Sequence, residues 1–589
     1  MKKIFYPIIA LMLTVTSCKD VLNIEDLNSL DESKVWNDPN LVNAYLANLY
    51  PLFGNWSSGA DNNSDQLIGI NFALDAVTVN NTAYKAWDYT TIRKINTAIQ
   101  KVSESTGLTT ELKNSVLGQA LFMRAYVYFN MVKYHGGVPY ITTPQDLESD
   151  DLEVPRNSTK ECFELMVKDL DQAISLLPQT IAKSSSDYGK IDGNFAVAFK
   201  GKVLLYKASP QFNPTNPYGN TFWNEAHAAN KAAYDRLLAN GYSLTPDYAN
   251  IALQEKGPES IFSVINTYPN KVANYDNGVR PGSESRGTAG AVPAWEFVKS
   301  FPMKDGKLYS DVSSPYYKTE DQFLQSYWEN RDPRFEKSIV WNGKIYEVSG
   351  KAGKRQYTSV GIATALDDFG INPNARTPSE NLNRYSGFFI LKNSKLSLKQ
   401  TEVETQYDVD YVVMRLAEVM LNYAETANET GDINTAIDIL TQIRKRAGIE
   451  AGLDGKYGIT AASREDIREA ILLERSIEFC FEGHRFWDLR RLRKLAVLHN
   501  KTKFGVEAIA INTNGTEMDL DEAASLARAY QLKEDHFKYT LLQVPRSGAQ
   551  VNLVPDTYYF FPIAQSVLDK NTKLQQNKDW GGTFDPTIQ

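Results

Sequence analysis

Hydrophobic positions repeat with helical spacing along two long parts of the chain. Between residues 121 and 132 the apolar side chains fall at i, i+4, i+7, i+8 and i+11, and therefore on one helical face. His135-Gly136-Gly137, followed by Pro139, predicts where that helix ends. The same periodicity predicts helices over residues 37–50, 89–101, 112–134, 159–177, 195–209, 223–240, 412–428, 433–446 and 463–498.

Residues 412–446 give the clearest pattern for a pair of helices. A turn at Gly431-Asp432 separates two amphipathic segments, and the small residues Ala424 and Ala436 lie where the helices must approach closely. This spacing matches a tetratricopeptide repeat, which is an antiparallel helix pair. The sequence therefore predicts an αα-hairpin here.

Helical periodicity is weak over residues 250–410 and 499–560, which are rich in Gly, Pro, Asn, Ser and Tyr. Short extended runs over 260–265 and 338–348 predict strands. Structureless stretches of this length are uncommon in a folded domain unless they are functional. We expect a mainly α protein in which an irregular half, made of loops and short strands, packs on a helical scaffold.

The N-terminus has the order of an export signal. Lys2 and Lys3 precede an apolar run of about twelve residues, which is too short to span a bilayer, and Val15-Thr16-Ser17-Cys18 follows. The whole resembles a bacterial lipoprotein signal. That resemblance implies removal of residues 1–17, lipidation of Cys18 and a linker up to residue 33. The alternative is an ordinary secretory signal with a chance cysteine.

Composition excludes some functions. The net charge is −8 and the chain has no long Lys/Arg block, so a nucleic-acid-binding role is not expected. Apart from Cys18, the cysteines are Cys162 and Cys480, in apolar helical surroundings that favour buried free thiols over a disulfide. The chain has no C-x-x-C pair or zinc-type spacing.

Four segments resemble the SusD/RagB family of outer-membrane lipoproteins from Bacteroidetes. They are ERSIEFCFEGHRFWDLRRLRK (residues 474–494), PDTYYFFPIAQSVLDKNTKLQQNKDW (555–580), GQALFMRAYVYFNMVKYHGGVPY (118–140) and the N-terminal Cys18 with Asp20 and Leu22. Ala564, Val567 and Lys578-Asp579 depart from the usual pattern of the last segment. These departures indicate drift within a structural segment and say little about a ligand.

The resemblance implies four tetratricopeptide-like helix pairs that cradle an irregular half. It implies one domain over residues 34–589, with helical repeats over about 37–240 and 410–498. The ligand-binding half would comprise about 250–410 and 499–560, and the C-terminal family segment 555–580. The family acts as a non-catalytic, surface-exposed lid on a SusC-like TonB-dependent transporter in the outer membrane. It captures oligosaccharides or, in RagB-like members, peptides.

Aromatic side chains are the candidate ligand contacts, because Trp and Tyr rings cover the apolar face of a sugar while polar side chains serve its hydroxyls. The family often takes a binding tryptophan from its early region, so Trp87 and Tyr84 are the first candidates, and Trp56 lies in a polar loop nearby in sequence. Packing in the core is the alternative for each ring. The irregular half adds Trp295, Tyr316, Tyr317, Tyr327 and Trp328.

Glu474, Glu478 and Glu482 recur at i+4 spacing near His484 and Asp488, and could in principle ligate metals. That chemistry favours Glu-x-x-His, whereas Glu482 and His484 are two residues apart. The interleaved arginines favour a buried ion-pair lattice, so no cofactor or metal is assigned here. A structural Ca²⁺ near an acidic pair such as Asp367-Asp368 stays open, although such pairs are more often solvated turns.

The sequence leaves three hypotheses for the function. The first is a glycan-binding lipoprotein partnered with a transporter, and the second is a tetratricopeptide scaffold that binds only protein. The third is a glycoside hydrolase, which no motif supports, since its two carboxylates would meet only in the fold. We expect no enzyme, and a protein lipid-anchored in the outer membrane that faces the cell exterior.

Overall fold

A computed structural model describes residues 32–68, 77–80, 86–146, 148, 150–286, 291–359, 386–544 and 554–588. Helices form the first part of the described chain, and from α3 to α7 each packs against the next. The long α4 is almost entirely buried along its C-terminal half. The helices are α1 (Glu32–Val35), α2 (Pro39–Ala47), α3 (Tyr89–Glu104), α4 (Thr110–His135), α5 (Thr159–Leu176), α6 (Gly193–Ala208) and α7 (Phe222–Ala239).

A second helical segment completes this half. Its first helix packs against α7 and α6 and so joins the two segments. Ala424 and Ala436 are both fully buried in the hairpin, and Gly431 ends its first helix with a φ of +95°, which favours glycine. The helices are α12 (Leu416–Thr430), α13 (Ile433–Ala447), α14 (Arg464–Glu478) and α15 (Arg485–Arg491).

The irregular half contains short helices and two-stranded antiparallel sheets. The sheets pair β1 with β4, β2 with β3, and β5 with β6. The helices are α8 (Tyr275–Val279), α9 (Trp295–Ser300), α10 (Glu320–Gln325), α11 (Pro333–Ser338) and α16 (Leu520–Arg528), and the C-terminal segment that follows contains α17 (Gln565–Leu568). The strands are β1 (Ser260–Val264), β2 (Ile339–Val340), β3 (Phe389–Ile390), β4 (Tyr411–Arg415), β5 (Phe504–Ala510) and β6 (Phe537–Gln543).

The main hydrophobic cores correspond to the two halves. One is built largely from the helices, and the other is built largely from the irregular half. Ile477, in the last turn of α14, and Cys480 and Phe481, just after it, pack into the core of the irregular half. The end of α14 therefore fastens the irregular half to the helical scaffold.

Three predicted boundaries were wrong. Residues 412–415 form part of β4 instead of the start of a helix, because this β-branched stretch pairs with β1. The predicted helix over 463–498 is interrupted between α14 and α15, where the Gly483 N–H donates to Asp61 Oδ2 at 2.8 Å. Of the extended run over 338–348, only Ile339–Val340 forms a strand.

The predicted ion-pair lattice is confirmed at the junction of the halves. Glu474 pairs with Arg334 and Arg444, at 2.6 and 2.8 Å. Glu482 pairs with Arg415 and Lys392, at 2.9 and 2.6 Å. These groups are buried, and each carboxylate that could have served as a metal ligand is held by cations instead.

Cys162 and Cys480 are buried free thiols, as predicted. Within the described ranges, no helix combines the length and apolarity that crossing a bilayer requires. Cys18, Tyr84 and Asp367-Asp368 lie outside the described residues. The expectations for lipidation, for Tyr84 and for calcium therefore stay predictions.

Candidate functional site: an aromatic cleft at Trp87

An open cleft of 400 Å³ lies where the start of α3 meets the C-terminal segment. Trp87 and Tyr89 form its aromatic wall, with ring centroids 5.3 Å apart. The loop after α4 and the segment that begins with α17 supply the other walls. The remaining lining residues are Pro139, Ile141, Gln145, Leu152, Val154, Ser566, Val567, Lys570, Asn571 and Leu574.

The Trp87 ring is held from behind by buried groups. It packs edge-on against the His135 ring at a centroid distance of 5.8 Å, and the preceding Ala86 N–H donates to His135 Nε2 at 3.3 Å. Tyr89 donates its hydroxyl proton to the Pro139 carbonyl at 2.6 Å. Trp87 itself is half-buried, so one part of the ring is fixed while another part faces the cleft.

The C-terminal segment is fastened to the end of α4 by two polar side chains. Asn577, fully buried, donates to the carbonyls of His135 and Phe561 at 3.1 and 3.0 Å. Arg156 donates to the His135 carbonyl at 2.7 Å and to Asn577 Oδ1 at 2.9 Å. Two segments that carried the family resemblance, 118–140 and 555–580, therefore meet beside the cleft.

The lining of the cleft combines flat apolar surface with a polar rim. Ser566 and Lys570 are exposed at the rim. Asn571 donates to the Val154 carbonyl at 3.0 Å, which fixes its amide at the wall. Rings that cover an apolar face, next to hydroxyl, amide and ammonium groups, suit a ligand that is apolar on its faces and polar at its edges.

His135 gives this region a defined pH response. Burial lowers its pKa to about 3, so the folded protein keeps the imidazole neutral where the unfolded chain, with a pKa near 6.5, becomes protonated. Because the unfolded state then binds more protons, stability falls as the pH falls. We expect His135 to reduce the free energy of unfolding by about 1 kcal/mol between pH 6.5 and 5.5. Urea unfolding at both pH values, with His135→Gln alongside, measures this contribution; an unchanged pH slope in the variant would contradict it.

Trp295 and Tyr327, proposed from the sequence as ligand contacts, lie in the core of the irregular half. They are 2% and 1% exposed, and their rings pack edge-on at 5.6 Å. Neither offers a face to a ligand in this structure, because neighbouring aromatic rings already cover them. Trp328, also a candidate, is half-buried and stacks on Trp341 at 5.6 Å.

The other candidates lie apart from the cleft lining. Trp56 is half-buried, donates from Nε1 to the Val409 carbonyl at 3.0 Å, and packs against tyrosine rings of the irregular half. Its loop thus has a packing partner that the local sequence did not indicate. Tyr316 donates to Glu450, at 3.0 Å for the nearer oxygen, and lies under the Lys304 ammonium, while Tyr317 is exposed.

Sequence reasoning identified Trp87 but missed most of its surroundings. The periodicity predicts a helix that begins at Tyr89, although the place of Tyr89 two residues after Trp87 could have indicated a shared aromatic wall. The lining from 139–154 and 566–574 could not be found from local pattern, because those segments are far apart in the chain and meet only in the fold.

Comparison with known proteins places the chain in a family. Residues 258–580, more than half of the chain, match the family model described as "SusD family". Residues 20–205 match a second model, described as "Starch-binding associating with outer membrane".

Comparisons with individual proteins agree with the family-model matches. SusD-like protein P38 of Formosa agariphila is 25% identical over 510 residues, which cover 82% of this chain and 89% of the relative. The crystal structure of a SusD-like protein from Bacteroides fragilis superimposes with a TM-score of 0.71 at 24% identity, covering 93% and 98% of the two chains. A SusD-like carbohydrate-binding protein from the same species gives 0.69 at 20% identity, covering 92% and 100%. The mainly helical fold and the family-model match lead to one conclusion: this chain belongs to the SusD family.

Proposed function

We propose that this protein captures oligosaccharides in the Trp87 cleft and delivers them to a SusC-like TonB-dependent transporter of the outer membrane. The observation that carries the proposal is the fixed aromatic pair, Trp87 and Tyr89, along an open cleft with a polar rim. A sugar ring presents C–H groups on its face and hydroxyls around its edge. The cleft offers matching surfaces for both.

The cellular location is inferred from a family-model match and from the N-terminal signal. The match to a model described as associating with the outer membrane supports a peripheral role there. Lipidation of Cys18 would supply the anchor, and more than one acyl chain on that residue would hold the protein stably. We infer that the lipid-anchored protein faces the cell exterior, where it meets polymer fragments before the transporter does.

Capture without cleavage is the chemistry that the cleft supports. Glycoside hydrolysis uses two carboxylic acids placed on either side of the bond. Among the described residues that line the cleft there is no Asp or Glu. The lining residues are therefore suited to binding and orienting a sugar.

Calorimetry on residues 19–589 with a panel of plant, host and microbial oligosaccharides tests the proposal, with product analysis of each mixture. We expect binding of at least one class and no shortened products. A short-peptide panel forms a second arm, because an amide and ammonium rim also suits a peptide backbone. Peptide binding without glycan binding would move the function to a RagB-like lid, and turnover of any glycan would contradict the proposal.

Co-purification tests the partner. The lipidated full chain, extracted from its native membrane with mild detergent, is expected to carry a TonB-dependent barrel protein with it. A Cys18→Ala variant, which cannot be lipidated, is the matched control for the anchor. Recovery of the native chain without a barrel protein would contradict the transporter partnership. Glycan capture is tested separately by the calorimetry.

A further inference from the structure

A partly enclosed polar chamber of 170 Å³ lies inside the helical half. It is bounded by α4, α6, β4, α12, the end of α14 and the start of α15. Because about 10–15 Å³ is enough to hold one water, the chamber has room for a small guest with water around it. The charged groups that face it are Lys133, Lys202, Glu418, Arg475, Glu482 and Asp488, together with His484.

The carboxylates that line the chamber are already neutralised. Glu418 pairs with Lys202 at 2.8 Å, and Asp488 pairs with Arg475 at 2.8 Å. Glu482 pairs with the Arg415 guanidinium at 2.9 Å. Burial lowers the pKa of His484 to about 4, so its ring adds no positive charge at neutral pH.

Among the cations that line the chamber, Lys133 is left without a carboxylate partner within the described residues. Within the part of the chain that the structure describes, no oxygen accepts a hydrogen bond from its ammonium group, which lies 3.9 Å from the centre of the Trp487 ring. The Arg490 guanidinium lies 5.5 Å from the centre of the same ring, and it donates to the carbonyl oxygens of Tyr559 and Tyr134 instead of to a carboxylate. Lys133 is half-buried and has no carboxylate partner among the described residues, and burial together with the nearby charges of Lys202 and Arg490 lowers its pKa. An anion beside the ammonium group would offset these unfavourable surroundings.

A second donor in the chamber also lacks an acceptor. Asn422 is 1% exposed, and its Oδ1 accepts from Arg475 Nη1 at 2.9 Å, which fixes the orientation of the amide. Its Nδ2 then has no hydrogen-bond partner among the described residues. A buried N–H left unpaired is unfavourable, so an acceptor at this wall would be stabilising.

We propose that the chamber binds a small monovalent anion, of the size of chloride or acetate, between Lys133 and Asn422. The anion would accept from both unpaired donors and balance the Lys133 charge. A monovalent anion is favoured over a divalent one because Lys133 is the one lining cation without a carboxylate partner among the described residues. The site is independent of the Trp87 cleft, since the two share no lining residue.

Crystals of residues 19–589 grown or soaked in sodium bromide give the direct test. We expect an anomalous bromide peak in the chamber within hydrogen-bonding distance of both Lys133 Nζ and Asn422 Nδ2. The peak should be absent in Lys133→Met and retained in Lys133→Arg. Density for water alone in the wild type, at saturating bromide, would overturn the proposal.

Thermal unfolding supplies a test in solution. Sodium bromide and sodium acetate should each raise the Tm of the wild type along a saturating curve, while the Lys133→Met variant should follow only the general salt trend. Subtracting the variant removes effects of salt on the whole protein. Parallel curves for the two proteins would contradict specific binding, and a rise with bromide alone would restrict the guest to halides.

Discussion

Replacing Trp87 by alanine is expected to weaken oligosaccharide binding by about 10–100-fold, or roughly 1.4–2.7 kcal/mol. The indole is fixed against His135 and shares its wall with Tyr89, so the ring is already oriented before a ligand arrives. Preorganised aromatic surface binds without the entropic cost of ordering a free side chain. Calorimetry of the variant against the best glycan of the panel measures the loss.

Two variants make this result specific. Trp87→Phe keeps a flat apolar ring at the same place and should retain most of the affinity. Trp328→Ala removes another half-buried tryptophan, one that lies in the irregular half, and should change affinity by less than about twofold. If Trp328→Ala abolished binding while Trp87→Ala did not, the ligand site would belong to the irregular half instead of the cleft.

The same variants separate glycan capture from a scaffold that binds only protein. A tetratricopeptide scaffold would lose its partner through changes on an exposed helical face, and Trp87→Ala would leave that interaction intact. Glycan capture predicts that Trp87→Ala weakens ligand binding, whereas changes on an exposed helical face leave ligand binding intact. Because the cleft and the outer helical faces use different residues, one set of variants assigns the function to one surface or the other.

Helical periodicity was enough to predict the scaffold, because one-sided burial of a helix leaves a repeat that can be read locally. Asp38, Ser158 and Ser463 also accept hydrogen bonds from backbone N–H groups at the starts of their helices. The exception at residues 412–415 has a physical cause. Those residues pair with β1, some 150 positions earlier in the chain, and no local pattern reports that partner.

Aromatic residues in the irregular half were harder to interpret. The sequence left both ligand contact and core packing open for these rings, and Trp295 and Tyr327 pack with each other and with neighbouring rings in a core. Short helices and two-residue strands bury side chains without leaving a long repeat in the sequence. Trp87 was separable from these rings only through the family resemblance, and the walls that turn it into a cleft come from distant segments.

The buried ion-pair lattice explains why the glutamate-rich segment at the end of α14 stabilises the fold instead of binding a metal. Glu474, Glu478 and Glu482 lie near the C-terminal end of α14, where the chain crosses from the helical core to the core of the irregular half. Guanidinium groups from both halves reach the same carboxylates. The pairs therefore help to set how the two halves pack against each other.

Glu478→Gln is expected to lower the free energy of unfolding by about 3–5 kcal/mol at pH 7, because it leaves buried guanidinium groups short of a counter-charge. Glu478 is fully buried and pairs with Arg334 at 3.1 Å, Arg415 at 2.8 Å and Arg446.

These guanidinium groups hold the pKa of Glu478 well below its usual range. The stability that Glu478 contributes is therefore complete above the unfolded pKa near 4.3 and is lost as the pH falls below it. The gap between wild type and variant in urea unfolding should shrink accordingly. Asp235→Asn removes an exposed ion pair with Lys231 and should cost much less than Glu478→Gln. Equal costs for the two variants would mean that the buried lattice contributes no more than a surface ion pair.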